Sequence, residues 1–346
     1  MPSPTQTERH RGAANAHTRL AWIDSLRWVA AAAVVWQHAL STAARTAIGT
    51  GHVTPAWIVN SLLMFPVPVF FFLSGYVHAL SSRSPAKLIP HTMLRTAIPY
   101  LAWSSIYMAF AVTTGRFVWP GFSGGLVDIL TARLAPHLWF LASLTLVAPI
   151  GAVLWLLLGR RTVILVLPVA LVTSLWYSYS MVLHSPMSTL SRMLIIPLGL
   201  YVSGMWLARD ELPERWRGLG QRVLLPTAVL LLCAGAVEAY FAVFVTSPPW
   251  TVAQPTSLLV GAALLCIAAS TWRSDGAAVA CLASLPRVTL GVYCIHLLTL
   301  QVIRSAIPPY GSGLLIGSAE AVVCLLISSL IAYAISQVPI ARRIVC

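Results

Sequence analysis

The stretch Asp24-Ser25-Leu26-Arg27-Trp28-Val29-Ala30-Ala31-Ala32-Ala33-Val34-Val35-Trp36-Gln37-His38 decides how the chain is read. It is apolar enough to open a membrane helix, yet it holds three ionisable side chains. A charge in hydrocarbon is costly, so an Asp, Arg or His there marks a functional candidate. Arg27 and His38 are eleven residues apart. At about 100° per residue that is roughly three full turns, which puts both on one helix face. The rise between them is roughly 16 Å, about half the thickness of a hydrocarbon core. Asp24, three residues before Arg27, is placed to pair with it. The helix thus offers a basic group near one surface and an imidazole much deeper.

The rest of the chain agrees with a membrane setting. Hydrophobic residues make up 58% of it and charged residues 9%, against about 25% charged in a soluble domain. The expected fold class is all-α, a polytopic membrane bundle. A net charge of +13 raises nucleic acid as a partner, but the basic residues are scattered between apolar runs and no stripe gathers them. Lys87 is the sole lysine; with so much Ala, that fits a GC-rich bacterial genome. The cysteines at 233, 266, 281, 294, 324 and 346 form no C-x-x-C pair and read as small buried hydrophobes. Residues 1–18 read as a disordered cytoplasmic tail without the pattern of a cleaved signal peptide, followed by a transmembrane domain over 19–346.

Ten apolar runs are long enough to span: Leu20–Ala44, Ala56–Leu80, Leu94–Thr114, His137–Leu158, Val163–Met181, Met193–Ala208, Val223–Val245, Val252–Thr271, Val288–Ala306 and Gly313–Val338. Prolines at 66, 68, 99, 149, 168, 197 and 226 fall in or beside them and predict kinks. With the N-terminus inside, sixteen basic residues lie on inner segments and five (Arg45, Arg116, Arg133, Arg192, Arg304) on outer ones. The positive-inside rule therefore predicts both termini in the cytosol and a multi-pass protein of the cytoplasmic (inner) membrane.

Further stretches carry polar groups into these runs. Phe70-Phe71-Phe72-Leu73-Ser74-Gly75-Tyr76-Val77-His78 predicts a close helix contact at Ser74-Gly75, with His78 at the interface. His91-Thr92-Met93-Leu94-Arg95 puts cations at a cytosolic helix entrance, either as an anchor or for phosphate contact. His137-Leu138-Trp139-Phe140-Leu141 fits an aromatic interface belt. In Gly291-Val292-Tyr293-Cys294-Ile295-His296, Tyr293 and His296 share a face at mid-membrane. Glu238 and Glu320 need partners, with Arg192 and Arg304 as candidates. There is no H-E-x-x-H, zinc-ligand spacing or Gly-rich nucleotide loop, so no metal is expected. An imidazole such as His38 is suited to take a proton from a hydroxyl nucleophile.

Ile23-Asp24-Ser25-Leu26-Arg27 followed by His38, then Phe71–Tyr76, Arg95 before Pro99, His137–Leu141 and Leu290–His296, resembles, in that order, the acyltransferase 3 family of integral membrane O-acyltransferases. The chain departs from the family pattern at Trp28, where Gly is usual, and at His91-Thr92, where a further basic residue is common. The C-terminal hydrolase-like domain that often follows is not expected, since the sequence stops soon after the tenth run. The resemblance implies transfer of an acyl group, most often acetyl, from cytosolic acyl-CoA as co-substrate. The acceptor would be a hydroxyl of a cell-surface glycan, a lipid-linked sugar or glycolipid, or a secreted metabolite. It makes His38 the general base, with Arg27 and Asp24 in the catalytic group. Arg27, Arg95 and Lys87 or Arg83 would meet the donor phosphates, its pantetheine arm running along the first helix. Tyr293, His296, His137 and Trp139 are the candidates for substrate or oxyanion contact. A transporter or flippase for a sugar or lipid-linked substrate is the competing reading, since buried charges and Pro kinks suit transport too.

Overall fold

The computed structural model describes residues 6–81, 85–131, 133–182, 191–209, 219–245, 255–271, 277, 281–282, 285, 288–306 and 313–345, with no side chains described for 6–20, 85–88, 177–182, 191–192 and 220–221. No strand occurs among the described residues. The helices are α1 (Gln6–Thr50), α2 (Pro55–Leu62), α3 (Pro66–Ala79), α4 (Pro85–Thr113), α5 (Gly121–Leu130), α6 (Trp139–Leu158), α7 (Arg161–Val182), α8 (Ile196–Arg209), α9 (Leu225–Tyr240), α10 (Thr256–Ser270), α11 (Thr289–Ala306) and α12 (Leu314–Ser336). Each expected apolar run is carried on helix within the described residues. Five helical stretches are long and apolar enough to cross a membrane: Pro55–Ala79, Pro136–Leu158, Arg222–Val245, Thr289–Ala306 and Leu314–Ser336. Large apolar side chains also face outward, among them Leu157 on α6, Ile164 on α7, Leu230 on α9 and Leu330 on α12. Such faces are costly in water and unremarkable against lipid.

Four differences from the sequence expectation have physical causes. First, α1 reaches back to Gln6, into the stretch read as a disordered tail, because adding a residue to a formed helix fixes few dihedrals per hydrogen bond gained. Second, the run Ala56–Leu80 is two helices. The Pro66 ring would clash with the carbonyl of Leu62, so α2 ends there and α3 restarts at Pro66. The same clash accounts for the wide π-helical turns Ser191–Ile195 and Gly220–Leu224, which contain the residues four before Pro197 and Pro226. Third, α5 was not anticipated. It is held by Tyr100, whose hydroxyl donates to the Leu130 carbonyl at 2.5 Å, and by Arg133 paired with buried Asp128 at 3.2 Å. Fourth, Cys233 and Cys281 are exposed; Cys266, Cys294 and Cys324 are buried as expected. Cys346 lies outside the described residues.

The closest helix contact is α3 against α8. A Cβ on Gly75 would stand 1.9 Å from the Tyr201 carbonyl oxygen, and one on Gly204 the same distance from that of Phe72. This is the approach read from Ser74-Gly75, completed by a second glycine from the partner helix. Gly75→Ala or Gly204→Ala therefore forces the backbones apart, at an expected cost of about 1–3 kcal/mol or more, read as a lower melting temperature in detergent. Gly49→Ala, where nothing lies within 4 Å, should leave the melt unchanged or slightly raised.

Candidate active site

Three imidazoles from three distant parts of the chain meet inside the bundle. His38 comes from α1, His137 from the short 3₁₀ turn Pro136–Leu138, and His296 from α11. The His38 ring centroid is 5.1 Å from that of His296 and 6.3 Å from that of His137, and the last two are 5.3 Å apart. His137 and His296 are buried, and His137 is thus no part of an interface belt. The reason is α5, whose ties to Tyr100 and Arg133 bring the chain back so that Pro136–Leu138 sits among core residues.

The polar atoms around these rings are partly committed. His296 Nδ1 lies 2.6 Å from the Tyr293 carbonyl, and the Tyr293 hydroxyl donates to the His137 carbonyl. Both ring nitrogens of His137 and Nε2 of His296 are buried, and none has a partner in good hydrogen-bond geometry among the described residues. Buried polar atoms are nearly always paired, so nitrogens left open beside one another have the character of a reactive site rather than of a packed core.

Tyr107, which sequence reasoning missed, shapes the His296 turn. Its hydroxyl donates to the Cys294 carbonyl at 2.9 Å and accepts from the Leu298 amide at 3.1 Å. Those two groups are the partners of one i→i+4 helical bond, so the phenol acts as a wedge in the ladder of α11 beside His296. Its ring also lies 5.1 Å from that of His137. The C-terminal end of α11 is clamped by Arg304. That guanidinium donates to Glu320 on α12 at 2.7 and 3.0 Å, to the Ala39 carbonyl next to His38 at 2.7 Å, and to Thr42 at 3.3 Å. Glu320 thus finds the partner Arg304; the Arg192 side chain lies outside the described residues, and Glu238 is exposed on α9.

Arg27 pairs with Asp24 at 3.5 Å, as its spacing predicts. Both line a cavity of about 560 Å³, together with Trp28, Ser74, His91, Arg95 and Arg342. His78 also lines it and is buried, hydrogen-bonded to the Tyr201 hydroxyl rather than lying at an interface. The Lys87 side chain and Arg83 lie outside the described residues. His38 is not on the cavity wall. Phe70, Phe140 and Tyr293 also line the cavity, with ring centroids 5.7–6.0 Å apart. Tyr293 belongs to both parts, since its ring is 5.9 Å from His137 and 6.1 Å from His296. Trp139 makes its ring contact with Phe71, at 5.9 Å, and not with the histidines.

Residues 20–337 match the acyltransferase 3 family, described as an acyltransferase domain, and the chain belongs to that family. No curated protein and no solved structure matches it. Membership implies an acyl donor and an acyl acceptor, and the apolar helices give a multi-pass membrane protein.

Tyr107→Phe removes the wedge without emptying the site. The Cys294–Leu298 turn should then close on itself and shift His296. The expected result is a stability change of no more than about 1–2 kcal/mol with acyl transfer slowed roughly tenfold or more, checked by melting and by turnover on the same preparation.

Proposed function

We propose that the protein moves an acyl group, most simply acetyl, from cytosolic acyl-CoA to a hydroxyl of a cell-surface glycan, lipid-linked sugar or secreted metabolite, with His38 as general base. The observation that carries this reading is the arrangement of two chemically different compartments joined by one side chain. An arginine-lined cavity suits a polyanionic donor, because guanidinium groups bind phosphate oxygens in a planar, two-pronged fashion. A cluster of imidazoles suits proton transfer from a hydroxyl. Tyr293 touches both.

In this mechanism Arg27, oriented by Asp24, and Arg95 hold the donor phosphates, and the pantetheine arm extends towards Tyr293. His38 removes the proton of the acceptor hydroxyl as its oxygen attacks the thioester carbon. The tetrahedral oxyanion is met by His137 or His296, whose open ring nitrogens become donors when protonated there. Collapse expels the CoA thiolate, which takes up the proton. The orientation that serves this chemistry puts both termini in the cytosol, with ten spans in a cytoplasmic membrane, as the distribution of basic residues favours.

The test is purified protein with radiolabelled acetyl-CoA and a panel of hydroxyl acceptors. His38→Ala should lower turnover by about 10²–10⁴-fold, the usual range for a general base, with donor binding kept. Arg27→Ala should chiefly raise the Michaelis constant for acetyl-CoA. A folded His38→Ala protein of full activity would remove His38 from the mechanism. Substrate movement across vesicles without CoA release would favour a transporter.

A further inference from the structure

The chain after α12 does not trail away from the bundle. The turn Ala341–Ile344 is pinned at its end: Trp103 Nε1 donates to the Ile344 carbonyl at 2.9 Å, and the Gly291 amide donates to that of Val345 at 3.1 Å. Val345 is fully buried over Gly291, where a Cβ would come within 2.8 Å of its own Cβ. This anchoring holds two consecutive arginines in place. Arg342 lines the donor cavity with Arg27 and Arg95. A second cavity, also of about 560 Å³, shares His91, Arg95 and Arg342 with the first and adds Arg343 and Pro339. It shares none of the aromatic floor of the first.

Among the described residues on the two cavity walls, Asp24 is the one acid. Arg95, Arg342 and Arg343 form no ion pair with a described carboxylate. Like charges held together by rigid backbone ties repel, and an anion between them relieves the repulsion. Two cavities meeting at shared cations suit a ligand with anionic groups at separate points. An acyl-CoA has that form, with a diphosphate midway along the molecule and a 3′-phosphate on the ribose at the end remote from the thioester.

We infer that the C-terminal turn is part of the donor site, with Arg343 in the second cavity taking the ribose 3′-phosphate and Arg342 bridging to the diphosphate. The inference rests on acyl-CoA being the donor. It assigns a task to residues beyond the first-helix arginine, and it makes the protein selective for CoA over its 3′-dephospho form.

Binding of CoA and of 3′-dephospho-CoA to the full-length protein in nanodiscs tests it without an acceptor. The wild type should prefer CoA by about tenfold or more, the worth of one charge-assisted phosphate contact. Arg343→Gln should bring that preference close to unity while leaving the affinity for dephospho-CoA within about twofold. Arg342→Gln should weaken both ligands. Arg343 is exposed, so its substitution should leave the melt unchanged. Equal wild-type affinity for the two ligands, or equal weakening of both by Arg343→Gln, overturns the 3′-phosphate assignment alone. A wild type that binds neither CoA nor acetyl-CoA overturns the donor reading and the inference with it.

Discussion

Imidazoles inside an apolar bundle must be held by something, and the way this chain holds three of them, His137 and His296 buried and His38 half-buried, organises the structure around them. None of the three is fixed by a carboxylate among the described residues. Backbone carbonyls and phenols do the work. Tyr293 reaches from α11 to the His137 carbonyl, Tyr107 reaches from α4 into the turn that carries His296, and Arg304 ties α11 and α12 to the α1 carbonyl beside His38. The ion pair Arg304–Glu320 lies about two helix turns beyond His296 on α11.

Glycines set how close the supporting helices come. Gly75 and Gly204 let α3 and α8 touch backbone to backbone, and Gly151 accepts the Tyr201 ring. Tyr201 is thereby fully buried with its hydroxyl on His78, and both line the arginine-bearing cavity. Packing at small residues and polar geometry at the cavity are therefore one constraint: spreading α3 from α8 would move His78 and Ser74 together.

Much of this was legible in sequence, and the parts that were not share a cause. The polar residues of α1, the apolar runs, the Ser74-Gly75 contact and the Arg304 partner of Glu320 all follow from local spacing or from the cost of a lone charge in lipid. The helix α5, the burial of His137 and the wedge of Tyr107 do not. Each depends on contacts between residues far apart in the chain, such as Tyr107 with Cys294 or Tyr100 with Leu130. A tyrosine in an apolar run carries no mark of which backbone it will reach. The break at Pro66 did have a local signal, the missing amide and the clash four residues back, obscured by an apolar run long enough to span. The residues Arg342-Arg343 were visible only as positive charge on the inner side; what makes them part of a cavity is the tie of Ile344 to Trp103.

The separation of the arginine cavity from the histidine cluster bears on the chemistry a membrane acyltransferase must manage. A thioester in water-filled space is open to hydrolysis, and transfer to a hydroxyl wins only where water is kept out. Phe70, Phe140 and Tyr293 form a group of packed aromatic rings on the cavity wall, and Tyr293 also lies against His137 and His296. In the proposed mechanism the thioester would have to pass these rings to reach His38. Tyr293 is the member that also holds the His137 carbonyl, so a ring displacement that opens the path loosens His137 at the same moment. In the proposed mechanism, donor arrival and freeing of the His137 turn would thus be linked through a single side chain, Tyr293.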